Sequence, residues 1–183
     1  MTLKFVEPQD LLLIKADALV NTVNCFGHMG KGVAKAFADD ARFNPRKKRG
    51  QEKIGLEADY MKRCERREVL PGQPYVWERS SIADADGMFE ELLEEPRFVI
   101  NFPTKNHYAN PSKLEWVDRG LQRIRELILE FGITSIAMPA PGCGNGGLSW
   151  TEVRPLIEKH FEDTKIEVVV VEPAPIQDGF IER

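Results

Sequence analysis

Two glycine-rich stretches carry the first readable chemistry. The run Asn21-Thr-Val-Asn-Cys-Phe-Gly-His-Met-Gly-Lys-Gly-Val33 follows the apolar, strand-like segment 16–20 and places two asparagines and three glycines ahead of a predicted helix. Backbone N–H groups left uncovered by glycine, followed by a helix N-terminus, suit a diphosphate. A second loop, Pro141-Gly-Cys-Gly-Asn-Gly-Gly-Leu148, follows the predicted strand 135–140 in the same way. Residues with side chains would strain such a loop wherever φ is positive, which accounts for the glycine density. Ligands of open α/β sheets bind outside the carboxyl ends of the strands, so two such loops on one sheet predict a clamp around a nucleotide-like ligand.

Elements that could position these loops follow from the apolar pattern. Strands are predicted at 3–6, 18–23, 75–78, 97–101, 135–138 and 165–171. Several are continuous apolar runs, as expected of strands covered on both faces. The clearest helix carries Leu114, Val117, Leu121, Ile124, Ile128 and Phe131 on one face, with Ser112 and Glu115 as a capping box and Gly132 as its stop. Ser149 and Glu152 repeat the capping signature before a second helix over 153–161, although Pro155 is comfortable only in a first turn. Strands alternating with helices predict an α/β fold, a three-layer α/β/α sandwich with a central mixed sheet. Residues 42–50 read as a basic loop, 51–68 as a charged helix, and 80–95 as a polar segment ending in the stripe Met88, Phe89, Leu92 and Leu93. They are read as an edge elaboration, at about 40–95, on one domain spanning 1–183.

The 183 residues suffice for one substantial core. A net charge of −4 argues against long-range attraction to nucleic acid as a default. Cys25, Cys64 and Cys143 cannot all pair and lack metal-ligand spacing, which fits a reduced, cytoplasmic setting with no metal. Neither a signal peptide nor an apolar run of membrane-spanning length is visible, so no membrane partner is expected.

Five stretches taken in order carry a family resemblance: Val20-Asn-Thr-Val-Asn24, Met29-Gly-Lys-Gly-Val-Ala34, Asn101-Phe-Pro-Thr-Lys105, Gly142-Cys-Gly-Asn-Gly-Gly-Leu-Ser-Trp150 and Glu152-Val-Arg-Pro155. Over about residues 3–171 the chain resembles the macrodomains, ADP-ribose-binding α/β/α modules. Within them it is most similar to the branch of DNA ADP-ribosyl glycohydrolase antitoxins of the DarT/DarG type and to related lysine-dependent ADP-ribosyl hydrolases.

The resemblance implies a role for each matching residue. Asp10, with Leu11, falls where macrodomains hold the adenine amine; the alternative is a turn or N-cap aspartate. Asn24 would hydrogen-bond the distal ribose, and Asn21 would brace the loop. Gly30, Lys31, Gly32 and Val33 would offer N–H groups to one side of the diphosphate. Gly142, Cys143, Gly144, Asn145 and Gly146 would wrap the other, with Cys143 a small filler rather than a nucleophile. Lys105 matches the catalytic lysine: its amine could form a Schiff base with an opened ribose, act as acid or base, or stabilise negative charge. The alternative is a lysine snorkelling at a strand end. A bound diphosphate would raise its pKa, so a neutral amine needs offsetting desolvation.

Gly146 stands where the glutamate-ester hydrolases carry a second catalytic residue, an aspartate, and where the DNA-specific antitoxins resemble this chain in having glycine. The substrate implied is therefore ADP-ribosylated thymidine in single-stranded DNA, with His107 and Tyr108 as a base pocket or as ordinary surface residues. Trp150 reads as core, and the basic run at 46–49 as a solvated loop or a phosphate contact. No cofactor is implied beyond ADP-ribose itself, as product or substrate moiety. The resembling antitoxins also carry a carboxyl-terminal domain that contacts a cognate DNA ADP-ribosyltransferase toxin. Here the sequence stops at Arg183, so that either such a domain has been removed, with the toxin a partner of the whole, or the chain stands alone and counters ADP-ribosylation without holding a partner. The rival activities are hydrolysis of ADP-ribosyl esters on protein or of ADP-ribose 1″-phosphate, and binding without catalysis.

Overall fold

A computed structural model describes residues 2–45, 54–79 and 96–175. The helical stripe at 88–93 and the basic run at 46–49 lie outside the described residues. Among those described, six strands form one sheet: β1 (Leu3–Val6), β2 (Ala18–Asn24), β3 (Tyr75–Glu78), β4 (Phe98–Lys105), β5 (Ser135–Pro139) and β6 (Glu167–Val171). Their order is β1-β6-β5-β2-β4-β3, with every neighbouring pair parallel except β3, which runs antiparallel along β4 at the edge.

The strands send alternate residues to opposite faces. Val20, Ile100, Phe102, Met138 and Val170 pack against α3 (Leu114–Phe131) and α4 (Trp150–Phe161) on one side. Leu19, Val23, Val99, Ala137 and Val171 pack against α1 (Gly32–Asp39) and α2 (Leu56–Glu65) on the other. Two apolar cores thus sandwich a mixed sheet between helical layers, which is the predicted three-layer architecture. Trp150 packs edge-on against Phe5 beside the first core, as expected.

Four local expectations change. β4 runs on to Lys105 instead of ending at Asn101, even though Pro103 can donate no ladder hydrogen bond. The β2–β4 register shifts there, Val23 facing Pro103 and Asn24 facing Lys105, so the proline sits at an irregularity that absorbs it. Ser112 does not cap α3; Lys113 holds that position, because the Ser112 amide is donated at 2.9 Å to the carbonyl of Gly146 in the second glycine loop. Ser149 does begin α4, but its hydroxyl pairs with Thr151 at 2.7 Å rather than with the helix amides. Pro155 lies inside α4, where both it and Thr151, whose carbonyl it leaves unbonded, face water. Gly132 closes α3 in the left-handed conformation at φ 61°, as its position predicted.

Candidate functional site

The carboxyl ends of β2, β4, β5 and β6 open onto a cavity of about 990 Å³, at the upper end of the range for small-molecule sites. Asn24, Gly30, Lys31, Gly32, Val33, Lys105, Tyr108 and all five residues from Gly142 to Gly146 line it. The chain thereby brings together nearly all the residues singled out by sequence. It does not bring Asp10, Leu11 or His107 to the lining. Asp10 caps the short 3-10 turn Leu11–Leu13, accepting the Leu12 amide at 2.9 Å, and Leu11 is buried. His107 turns its ring onto Phe26 and accepts the Ala109 amide at 3.1 Å.

Asn24 is 6% exposed and its side chain builds the first loop. Its carbonyl oxygen accepts the Phe26 amide at 2.8 Å and the Tyr60 hydroxyl at 3.0 Å, while its amide donates to the His28 carbonyl at 2.7 Å. One amide hydrogen remains for a ligand. Burial pushes the Tyr60 hydroxyl far above its ordinary pKa, so it stays a neutral donor. Asn21 is fully buried and donates at 3.0 Å to Asn101 on the neighbouring strand, a bracing role away from the cavity.

The two glycine loops approach each other across the opening. Gly32 has φ 58°, and a Cβ there would come within 3.0 Å of the Asn145 amide nitrogen. Lys31 offers no side-chain cap, which leaves the first amides of α1 uncovered. On the facing loop, among the described residues, Gly144, Asn145 and Gly146 donate no backbone hydrogen bond. Such a pair of amide clusters is an anion cradle. Gly146 admits no side chain: a Cβ would lie 2.3 Å from the Gly142 carbonyl oxygen and 2.4 Å from Ser112 Oγ. The second carboxylate of an ester hydrolase therefore cannot be grafted at this position without moving the loop backbone.

Lys105 ends β4 at the register shift, half-buried, with Nζ donating to the Tyr108 carbonyl at 3.1 Å. Desolvation first, and the charge of Lys31 second, hold its pKa below the ordinary lysine value. A larger fraction of neutral amine is therefore available at a given pH. Cys143 is different: burial pushes its thiol up to about 11, which makes it a filler and not a nucleophile. Glu172 is the one carboxylate among the described lining residues, and Arg154 Nη1 pairs with it at 3.0 Å.

Sequence reading missed Thr22, His28, Thr104, Glu172, Pro173 and Ala174 in the lining. The last three follow β6, and the rule that placed the glycine loops, ligands beyond strand carboxyl ends, applies equally to that strand. Among the described residues no group of three or more His, Cys, Asp or Glu could hold a metal ion, and no helix is long and apolar enough to cross a membrane.

Strand order, sandwich and clamp define a class, and the chain belongs to the macrodomain family. Residues 89–157 match the family model described as Macro domain. The chain is similar to the DNA ADP-ribosyl glycohydrolase of Thermus aquaticus, with 39% identity over 176 residues that cover 93% of this chain and 41% of that protein. The structure described as the macrodomain of Thermus aquaticus DarG superposes with a TM-score of 0.72 at 39% identity, covering 93% of this chain and 98% of that one. Thermosipho africanus DarTG in complex with ADP-ribose gives a TM-score of 0.73 at 31% identity, covering 94% of this chain and 42% of that one. The chain thus spans about 41% of the length of the DNA ADP-ribosyl glycohydrolases it matches.

Proposed function

We propose that this macrodomain is an ADP-ribosyl glycohydrolase that removes ADP-ribose from thymidine in single-stranded DNA. The observation that carries the reading is Lys105, with its lowered pKa, at the rim of the same cavity as the two amide clusters. The glycine loops hold the diphosphate, and Asn24 spends its remaining amide hydrogen on the distal ribose. The bond from the anomeric carbon to the base nitrogen breaks. Water supplies the new oxygen at that carbon, directly or through an intermediate formed with the Lys105 amine, and the departing base takes up a proton. The closed space at Gly146 supports a linkage other than the protein ester. The names of the similar glycohydrolases support the DNA substrate. The relative described as a fusion of DNA ADP-ribosyl transferase and glycohydrolase supports an antitoxin-like role opposite a DNA ADP-ribosyltransferase. Free cysteines fit a cytoplasmic site of action, where such a role amounts to DNA repair.

The test is a single-stranded oligonucleotide ADP-ribosylated on thymidine, given to wild type and to Lys105→Ala. Release of unmodified oligonucleotide by wild type alone is the expected result. No release by wild type, with ADP-ribose still bound tightly, would reduce the protein to a reader or to a hydrolase of another linkage.

A further inference from the structure

At the mouth of the cavity, rings from two loops form a continuous surface. Phe26 lies 4.5 Å from His107 and 6.0 Å from Tyr108, and Tyr108 lies 5.2 Å from His28, centroid to centroid. His28 and Tyr108 belong to the cavity lining, and Phe26 extends the surface beyond it. Phe26 is 64% exposed and Tyr108 50%. Phe26 contributes to neither apolar core, so its ring forgoes burial without serving the fold. A single exposed ring is ordinary; rings in contact with one another and with a ligand cavity are not.

Around the rings the charge is mostly of one sign, Glu172, paired with Arg154, being the one carboxylate among the described lining residues. In a chain of net charge −4, no Asp or Glu occurs between Asp17 and Asp39 or between Glu95 and Glu115. Those two spans supply Lys31 and Lys105 to the cavity lining, whereas Lys35 pairs with Asp39 and Arg97 with Asp17 at the other end of the sheet. Accessible ring faces beside a cationic rim are what a single nucleic-acid strand needs, since bases stack and phosphates pair. A peptide would gain from the rings but has no general use for the lysines.

We propose that Phe26 and Tyr108 form a stacking surface for the nucleotide adjoining the modified one in a single strand, with its phosphate facing the lysine rim. The inference rests on the glycohydrolase reading above and names how that site would prefer a strand to an isolated nucleoside.

Two substrates separate the claims: thymidine ADP-ribosylated as the free nucleoside, and the same nucleoside within a single-stranded oligonucleotide. Wild type is expected to prefer the oligonucleotide through KM by about tenfold, the scale of one base–aromatic stack. Phe26→Ala should abolish the preference and Phe26→Trp should restore it. A wild type without the preference, or one unchanged in Phe26→Ala, overturns the stacking role and leaves the glycohydrolase reading intact. A preference met equally by an ADP-ribosylated peptide assigns the surface to a polypeptide and also overturns it. If wild type cleaves neither substrate, the glycohydrolase reading fails instead. Fluorescence anisotropy of a labelled, unmodified oligothymidylate then decides the surface: binding about tenfold weaker in Phe26→Ala supports it, and equal binding sinks it.

Discussion

The two ends of the same strands are built on opposite terms. At the amino ends of β2, β4 and β5, Asp17 is 2% exposed and all its polar groups are committed. Its carboxylate binds Arg97 Nε at 2.5 Å, Arg97 Nη2 at 2.7 Å and the Thr134 amide at 2.9 Å. Its carbonyl accepts from Arg97 and Phe98, and its amide donates to Ser135 Oγ at 2.9 Å. At the carboxyl ends these strands finish in Asn24, Lys105 and Pro139 around a cavity whose loop amides are left undonated. Committing Asp17 fully at one end ties three strands together there and lets the other end remain open for a ligand.

The sharpest way to separate the two ends is Lys105→Ala. Turnover should fall by about 10² to 10⁴-fold, the range for a group that acts in the transition state. Thermal stability and ADP-ribose affinity should barely change, because the Nζ makes one half-exposed hydrogen bond; a matching loss of affinity by calorimetry would mean a binding lysine. Next comes Gly146→Asp, in which the added Cβ collides with the Gly142 carbonyl. The loop must shift, and ADP-ribose binding should weaken by roughly tenfold to a hundredfold. Normal affinity would show that the cradle is more yielding than its packing implies.

Asp17→Asn probes the closed end. It should cost about 2 kcal/mol in urea unfolding while leaving KM for the ADP-ribosylated substrate unchanged. Burial works to raise the Asp17 pKa, but Arg97 and Thr134 together outweigh it and hold the value below 3.8. The stability Asp17 supplies is therefore present above the ordinary aspartate pKa and is lost as pH falls through the lower folded value. The variant should flatten that acid limb, and an unchanged limb would remove Asp17 from the account. The smallest effect is expected of Lys31→Ala. Without that neighbouring charge the Lys105 pKa rises, so the pH at which kcat/KM increases should move upward. A limb that stays in place would mean that another group sets it.

Much of this was legible because burial on both faces writes itself into sequence as continuous apolar runs. β2 and β5 run one residue beyond the predicted 18–23 and 135–138, and Gly132 stops α3 as expected. Both glycine loops could be located, since amide clusters at strand ends need glycine whatever the ligand. Pro103 hid the end of β4: read alone it breaks a strand, and only the shifted pairing with β2 lets β4 continue and deliver Lys105 to the rim. Ser112 looked like a cap because local spacing says nothing of a distant carbonyl that competes for its amide.

The sequence by itself determined the layered α/β/α class and the two clamp loops, because these depend on periodicity and on residue type; Lys105 stood out only through the resemblance to the lysine-dependent hydrolases. Tertiary structure alone decided what the side chains are free to do. It tied the Asn24 side chain to Tyr60, closed the space at Gly146 against Ser112, and gathered Phe26, His28, His107 and Tyr108 into one surface. Each of these is a contact between residues far apart in the chain or a competition for one hydrogen-bond partner, and no local pattern encodes either.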